Sequence, residues 1–276
     1  MKKKNELIGK DELNLVEVPF TLLTKEIRNE SKTLEFIDKQ NTIIRRWKIV
    51  GSIDFGLPCA LDESVYIALL ALSKKDGFNN SKIYFNQYQL LKIMNWPING
   101  KYYKRLYLAL NRLTGVTIFT NYLWDNGKFH EYKKAGFHII NEFVIDIGKK
   151  NTNSSYFEWN NILFNSFIAG NIKSLHIDTY FKLKTPTSRR FYRLYDKRLY
   201  KKDQLTFDLL ELCHEKLGIS RAIQSPSSLK RALNPTLKEH QEKELLSSVE
   251  YRINKDKKWA LVIKKQDLPH TLDRLH

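Results

Sequence analysis

The stretch Lys101-Tyr-Tyr-Lys-Arg-Leu-Tyr-Leu-Ala-Leu-Asn-Arg-Leu113 has the periodicity of an amphipathic helix. At about 100° per residue, its apolar side chains cluster on one side. They are Tyr103, Leu106, Tyr107, Leu110 and Leu113. The opposite side carries Lys101, Lys104, Arg105, Asn111 and Arg112. A helix with an apolar back and a basic front can pack on a core and present cations to phosphates, so the segment predicts a DNA-facing helix.

The residues around this helix predict the element order of a winged helix. Asp62 can cap a helix that ends near residue 75, and residues 83–85 are strand-like. Asn86 can then cap a short helix before the basic one. Two β-rich runs, residues 116–123 and 135–143, flank Asp125-Asn-Gly127, a strong turn signal that predicts a wing.

The same order recurs in the second half of the chain. A strongly basic helix at residues 184–202 precedes a short strand, a helix that Gly218 closes, a helix that opens at Ser225, and a hairpin around residues 255–258. We therefore predict an α+β fold with two tandem winged-helix domains, each a helix-turn-helix with a β-hairpin wing. The predicted boundaries are an N-terminal approach segment at 1–60 that packs on the first domain, domain 1 at 61–148, a linker at 149–160, domain 2 at 161–266 and a tail at 267–276.

Composition favours a nucleic-acid partner. Lys and Arg number 47 against 30 Asp and Glu, a formal net charge of +17 that both halves of the chain share. A solvated basic surface is the alternative. Two cysteines are too few for a disulfide framework or a zinc cluster, and no apolar run approaches the roughly 20 residues of a membrane helix. These features predict a soluble, cytoplasmic protein without membrane contact.

The candidate DNA contacts of the first unit lie on the basic helix and the wing. Asn111 or Arg105 could read purine edges, and the lysines could reach phosphates. Leu108, in the middle of the polar face, could touch a thymine methyl group or form a protomer contact. An ordinary solvated helix face is the alternative. The candidates are Lys101, Lys104, Arg105, Asn111, Arg112, Lys128, Lys133 and Lys134.

The second unit offers a similar helix, with Leu229, Ala232, Leu233 and Leu237 behind it. Pro235 lies in its middle, where proline breaks a backbone hydrogen bond. Either the helix continues with a kink, or it restarts at Pro235 with Asn234 as its cap. The candidate contacts are Ser228, Lys230, Arg231, Asn234 and Lys238, with Lys255, Lys257 and Lys258 in the wing.

A further set of cations interleaves with aromatic residues in the basic helix at 184–202. Helical spacing places Phe191, Tyr192, Leu194 and Tyr195 toward the core rather than in base stacking. We expect the cations to form an outer stripe along a phosphate track: Arg189, Arg190, Arg193, Lys197 and Arg198.

No catalytic, metal or cofactor site is predicted. Gly51-Ser-Ile-Asp-Phe-Gly56 imitates the start of a phosphate loop, but Leu57 stands where a lysine must reach the phosphates. The sequence contains no His-x-His pair and no G-x-S-x-G motif. We expect a protein without catalysis of its own and without a cofactor.

Several segments resemble the replication initiator protein A family of plasmids, phages and related elements. They are Gly56-Leu-Pro-Cys-Ala-Leu-Asp-Glu-Ser-Val-Tyr66, Asn99-Gly-Lys-Tyr-Tyr-Lys-Arg-Leu106, Asn165-Ser-Phe-Ile-Ala-Gly-Asn-Ile-Lys-Ser-Leu175 and residues 183–199. Leu229-Lys-Arg-Ala-Leu-Asn-Pro-Thr-Leu-Lys-Glu239 is similar to the second-domain recognition helix of iteron-binding plasmid initiators, which also carry a proline there. That resemblance implies contacts by Lys230, Arg231, Asn234 and Lys238. The following Glu239-His-Gln-Glu242 is more acidic than is usual in that group.

The resemblance implies a sequence-specific, double-stranded DNA-binding initiator of plasmid or phage replication. Such a protein binds repeated origin sites, promotes origin opening and recruits a host helicase or initiator protein. We expect the two basic helices to enter successive major grooves. Alternatively, the first unit forms a homodimer through Leu108. A winged-helix transcriptional repressor and a helicase-loading or primosomal adaptor are the other functions that the sequence leaves open.

Overall fold

The structure, a computed structural model, describes residues 8–23, 31–37, 43–121, 123–125, 128–130, 134–146, 155–200 and 202–266. The chain divides into two compact units, Met1–Lys182 and Leu183–His276. Both units combine helices with small antiparallel sheets. This mixture agrees with the α+β class expected from the sequence. The predicted tail at 267–276 lies outside the described residues.

The first unit contains most of the secondary structure. Its elements are β1 (Ile8–Glu12), α1 (Leu13–Glu17), β2 (Ser31–Ile37), β3 (Ile43–Val50), α2 (Ala60–Lys75), β4 (Lys82–Phe85), α3 (Gln87–Ile93), α4 (Gly100–Gly115), β5 (Thr117–Thr120), β6 (Leu123–Asp125), β7 (Lys128–His130), β8 (Ala135–Phe137), β9 (Ile140–Val144), β10 (Ser155–Trp159), α5 (Asn161–Ile168), β11 (Ile172–His176) and α6 (Ile177–Lys182). The strands form sheets in the orders β2-β3-β5-β8, β4-β10-β9, β1-β11 and β6-β7.

Helix α2 forms the centre of this unit. Residues from Val65 to Leu70 have no exposed surface, so the helix is apolar around its whole circumference and must be surrounded by other elements. Asp62, in its first turn, accepts a hydrogen bond from the backbone N–H of Cys59 at 2.7 Å. This bond satisfies one of the donors that a helix N-terminus leaves free.

The basic helix predicted at residues 101–112 is α4, which the side chain of Asn99 caps by accepting from the N–H of Tyr102 at 3.2 Å. Its predicted apolar back is confirmed for the leucines, since Leu106, Leu110 and Leu113 are fully buried. The periodicity also predicts Tyr107 on that back, but Tyr107 is 48% exposed, with its ring edge-on to Phe143.

The predicted linker at 149–160 is corrected by strand β10. Ser155–Trp159 pairs with β4 on one side and β9 on the other. Trp159 is fully buried, and its indole Nε1 donates to Ser73 Oγ at 2.8 Å. The segment is therefore the middle strand of a sheet. The alternating pattern of a half-buried strand was hidden because its polar flank at 148–155 has the composition of a linker.

The boundary between the units also differs from the predicted one. The sequence predicts that residues 161–182 belong to the second domain, but β11 pairs with β1 from Ile8↔His176 to Glu12↔Ile172. The N-terminal approach segment is likewise more than a covering layer, because β3 lies between β2 and β5 in one sheet. These long-range pairings extend the first unit to Lys182.

The second unit contains α7 (Pro186–Arg198), β12 (Gln204–Asp208), α8 (Leu209–Glu211) continued by a π-helical turn (Leu212–Lys216), α9 (Pro226–Glu242), β13 (Leu246–Ile253) and β14 (Trp259–Lys265). Its sheet has the order β12-β14-β13. The hairpin predicted around residues 255–258 is confirmed by the pairing of Ile253 with Trp259. Phe191 and Leu194 of α7, Leu233 of α9 and Leu261 of β14 are fully buried in its core.

Helix α9 runs without interruption through Pro235. The alternative in which the helix restarts at Pro235, with Asn234 as its cap, is therefore wrong. Ser225 is the N-cap, and its hydroxyl accepts from the N–H of Ser228 at 3.2 Å, while Pro226 occupies the first helical position. Because proline has no N–H, the carbonyl of Arg231 loses its helical partner four residues ahead.

Candidate nucleic-acid interface

The outer face of α9 is basic and polar. Leu229, Leu233 and Leu237 lie on successive turns and are buried, which fixes the rotation of the helix on the core. The residues on the other side, Arg231, Asn234 and Lys238, are exposed. Lys238 lies 3.7 Å from Glu242, an exposed pair four residues apart that contributes little stability. Ala232, which the sequence placed behind the helix, is exposed.

The acidic stretch 239–242 forms the last turn of α9, and the first of its residues faces inward. Glu239 is buried, and its carboxylate accepts from the N–H of Lys184 at 2.8 Å and from Ser188 Oγ at 2.5 Å. A carboxylate at this position, at the N-terminus of α7, is favoured by the free N–H groups and by the helix dipole. Glu239 therefore holds α9 against α7 and does not add negative charge to the outer face.

His240 lies beside Glu239 and has no exposed surface. Its Nδ1 is 2.9 Å from Tyr195 Oη, and its Nε2 is 3.1 Å from the carbonyl oxygen of Ser188. Burial lowers the pKa of His240 to about 4, so the imidazole is neutral near pH 7. The ring serves as a neutral bridge between α9 and α7.

Two aromatic residues of the hairpin orient the polar face of α9. Tyr251 Oη donates a hydrogen bond to Asn234 Oδ1 at 3.0 Å. The amide NH2 of Asn234, a hydrogen-bond donor, is thereby turned away from Tyr251. The ammonium group of Lys230 lies 2.9 Å from the centre of the Trp259 ring and 5.0 Å from that of Tyr251, and burial lowers the pKa of Lys230.

The hairpin that follows α9 carries three exposed lysines, Lys255, Lys257 and Lys258. Asn254 shapes its turn by accepting at Oδ1 from the N–H of Asp256 at 3.0 Å and that of Lys258 at 2.8 Å. Lys257 has a φ of 60°, which this turn requires. The structure thus places these lysines and the outer face of α9 in one unit, together with the half-buried Ser228 at the first turn of the helix.

The outer face of α4 in the first unit is less uniform. Lys101 and Lys104 are exposed, while Arg105 is half-buried with its guanidinium 4.8 Å from the centre of the Tyr102 ring. Asn111 uses its amide Nδ2 to donate to the carbonyl of Tyr107 at 2.8 Å. Leu108 is half-buried. Of the predicted wing residues, Lys134 is exposed, whereas the side chain of Lys128 and all of Lys133 lie outside the described residues.

Arg112 is a correction to the predicted DNA contacts. Its guanidinium donates to both carboxylate oxygens of Asp62, from Nε at 2.5 Å and from Nη2 at 2.8 Å. The two side chains are 6% and 0% exposed. Burial alone would lower the pKa of Arg112, but the hydrogen bond and the charge of Asp62 raise it, so the group stays charged. It joins α4 to α2 and does not reach solvent.

The predicted phosphate-binding stripe on α7 is also wrong for two of its five residues. Arg190 and Arg193 are each only 2% exposed, and Arg190 Nη1 donates to the carbonyl of Leu217 at 2.8 Å. The half-buried Arg189 donates from Nε to the carbonyl of Leu183 at 3.0 Å. Lys197 and Arg198 are half-buried, and Arg198 lies over the Phe207 ring. The core-facing prediction for Phe191, Tyr192, Leu194 and Tyr195 is confirmed, since all four are buried.

Within the described ranges, no group of three or more His, Cys, Asp or Glu side chains is arranged to hold a metal ion. Across the same residues, none of the helices combines the length and the apolar character that a membrane crossing requires. The residues that sequence reasoning missed are Tyr251 and Trp259. Neither stands out by composition, and they meet α9 only because the hairpin folds back on it.

Comparison with known proteins gives a family match and two structural matches. A family model described as replication initiator protein A matches residues 10–239. The chain is similar to the crystal structure of domains 2 and 3 of RctB in its selenomethionine form, with a TM-score of 0.61 and 14% identity, over 92% of this chain and 98% of that one. A second crystal structure of RctB domains 2–3 matches with a TM-score of 0.52 and 14% identity, over 90% and 95% of the two chains. No curated protein matches the chain.

Proposed function

The chain belongs to the replication initiator protein A family, and from that premise we propose that it is a sequence-specific, double-stranded DNA-binding initiator of plasmid or phage replication. It binds repeated origin sites, promotes opening of the adjacent DNA and recruits a host helicase or initiator protein. It has no catalytic activity of its own. The observation that carries this proposal is the solvent-facing surface of α9, with Arg231, Asn234 and Lys238.

The order of elements supports α9 as a recognition helix. In the second unit, helix, strand, helix, α9 and hairpin follow one another, and β12 joins the hairpin strands in a sheet of the order β12-β14-β13. This is the order of a winged helix, in which the third helix enters the major groove. On this reading the hairpin lysines lie over the flanking phosphates. The first unit has the same order from α2 to α4, with a more elaborate set of strands after it.

The chemistry of the α9 face suits base reading. Arg231 has the planar donor fork that matches the O6 and N7 acceptors of guanine, and within the described part of the chain it forms no ion pair or hydrogen bond that would hold it elsewhere. The Asn234 amide, with its carbonyl taken by Tyr251, offers donors to an acceptor on a base edge. Lys238 supplies a point charge for a phosphate.

The role of α4 remains open between DNA contact and protomer contact. Lys101 and Lys104 favour DNA, whereas the half-buried Leu108 and the 48% exposed Tyr107 favour a second protein surface. In the second case the first unit forms the homodimer and the second unit alone reads the site.

Footprinting on the DNA that flanks the gene tests the proposal. An initiator protects tandem direct repeats beside an AT-rich stretch. Protection of a single palindrome over a promoter would instead identify a repressor. Weak, sequence-blind binding together with a tight complex with a replicative helicase would identify an adaptor.

A further inference from the structure

One face of the sheet β2-β3-β5-β8 in the first unit combines cations with an exposed aromatic ring. Its inner face is formed by Trp47, Ile49, Ile118 and Phe137, which are buried. On the outer face, Lys48, Phe119 and Gly136 are direct cross-strand neighbours. Arg46, Asn121 and Lys134 border this row and line a groove of about 680 Å³ with it.

Phe119 is held in position although it is 47% exposed. A Cβ atom at Gly136 would lie 3.0 Å from ring atom Cε1 and 3.1 Å from Cδ1, so the ring rests against the glycine. Glycine at this position lets the aromatic side chain lie low over the neighbouring strand. An apolar ring of this size is normally covered, and among the described residues of this face it adjoins the glycine and the flanking polar residues.

The charge around the ring is positive. Arg46 and Lys48 on β3 and Lys134 before β8 are exposed. Among the described residues, the carboxylate on this face is Glu35, and it is paired with Arg46 at 2.7 Å. Within the part of the chain that the structure describes, Lys48 and Lys134 form no ion pair, so both remain available to an anion.

We propose that this outer face binds single-stranded DNA, with a base stacked on Phe119 and the neighbouring phosphates held by Lys48 and Lys134. Aromatic platforms flanked by cations bind single strands because every base has a π-face, and the backbone tracks the positive charge. Duplex DNA does not expose a base face to a flat sheet, so the ring favours an unpaired strand. The site involves none of the α9 residues and does not depend on the proposed duplex recognition.

Fluorescence anisotropy with labelled oligothymidylate of about 15 nucleotides tests the site, a length within the range that such surfaces cover. Phe119→Leu keeps an apolar cover on Gly136 but removes the stacking partner. We expect its dissociation constant to rise about 5- to 150-fold, as the loss of one stacked base implies. Phe119→Trp should retain or improve binding. Tyr84→Leu, which changes a 60% exposed aromatic residue of another sheet in the same unit, is the matched control and should bind normally.

The lysines provide an independent test that does not disturb the ring. Lys48→Gln and Lys134→Gln should each lower the steepness of the logarithmic salt dependence, by about 0.7 for one single-strand phosphate contact. Both residues are exposed, so these variants should fold even if Phe119→Leu does not.

Three outcomes would overturn the proposal. One is wild-type oligothymidylate affinity in folded Phe119→Leu. A second is an unchanged salt dependence in both lysine variants. The third is a competition experiment in which polyglutamate of equal charge displaces the oligonucleotide equally well from the wild type and from Phe119→Leu. That result would identify a surface for acidic peptides. Binding of duplex repeats, measured on the same variants, should be unchanged. If the wild-type protein does not recognise duplex repeats but binds single strands in a Phe119-dependent way, the initiator proposal is refuted and the single-strand site is not.

Discussion

Replacing Arg112 by Met should destabilise the first unit and leave the chemistry of DNA contact untouched. The substitution removes the guanidinium but keeps an unbranched side chain of similar reach. Asp62 has no exposed surface and, among the described residues, would then keep the hydrogen bond from the Cys59 N–H at 2.7 Å as its one remaining partner. Removing one partner of a buried ion pair costs about 3–5 kcal/mol, because the remaining charge is buried without compensation.

Thermal and denaturant unfolding followed by circular dichroism measure this cost. A loss of about 3–5 kcal/mol corresponds to a fall in Tm of roughly 6–20 °C for a domain of this size. Lys104→Met is the matched control on the same helix, because Lys104 is exposed and its loss should change stability by less than about 0.5 kcal/mol. Asp62→Asn combined with Arg112→Met should be more stable than Arg112→Met alone, since the pair of changes removes the orphaned charge.

The opposite result would refute this reasoning. The free energy of unfolding of Arg112→Met could lie within about 0.5 kcal/mol of the wild-type value. If that variant also loses DNA affinity at a temperature where it is folded, Arg112 is a DNA contact. Arg112→Lys separates charge from geometry. It keeps the positive charge but loses the two-pronged hydrogen bond, so we expect intermediate stability.

Three further predictions concern the second unit. Arg231→Ala should weaken binding to the specific site by about 1–3 kcal/mol and affect random DNA much less; equal losses on both, in titrations at one salt concentration, would exclude base reading. Tyr251→Phe removes the hydrogen bond that orients Asn234. It should reduce the difference in binding free energy between the specific site and random DNA by about 0.5–1.5 kcal/mol, and an unchanged difference would show that Asn234 needs no orientation. His240 has a folded pKa of about 4 against about 6.5 when unfolded, so the folded state binds fewer protons. The contribution of neutral His240 to the free energy of unfolding is present above pH 6.5, and about 3 kcal/mol of it is lost as the pH falls toward 4. His240→Gln should abolish that part of the pH dependence of unfolding.

Local patterns predicted the helices well and their surroundings less well. Helix α4 begins and ends within a few residues of the predicted bounds, since its caps and periodicity are encoded in consecutive residues. The burial of Arg112 depends on its ion pair with Asp62, which lies 50 residues earlier in the chain. Helical periodicity placed Arg112 at the edge of the polar face, and only the tertiary structure shows that α2 covers that edge.

The same limit explains the errors on α7 and at the predicted linker. Arg190 finds its acceptor at Leu217, 27 residues later, so no local signal distinguishes it from a solvated arginine. Strand β10 is recognisable only through its two pairing partners, of which β4 is distant in sequence. The acidic run after Lys238 was a departure from the expected recognition helix, and the inward position of Glu239 accounts for its first residue.

The buried arginines change what the net charge of +17 implies about DNA binding. Arg112, Arg190 and Arg193 are each at most 5% exposed, so these cations contribute to folding and not to a phosphate track. Arginine tolerates such sites because its several donors can satisfy acceptors in the core, whereas lysine keeps its compact charge in water. The exposed positive surface of the second unit is consequently rich in lysine, which binds phosphates without distinguishing bases. Among the described cations of the α9 face and its hairpin, Arg231 and Arg252 are exposed arginines, and the Arg252 guanidinium is already paired with Glu250. If the second unit reads sequence, Arg231 and the neighbouring amide of Asn234 must therefore carry most of the discrimination.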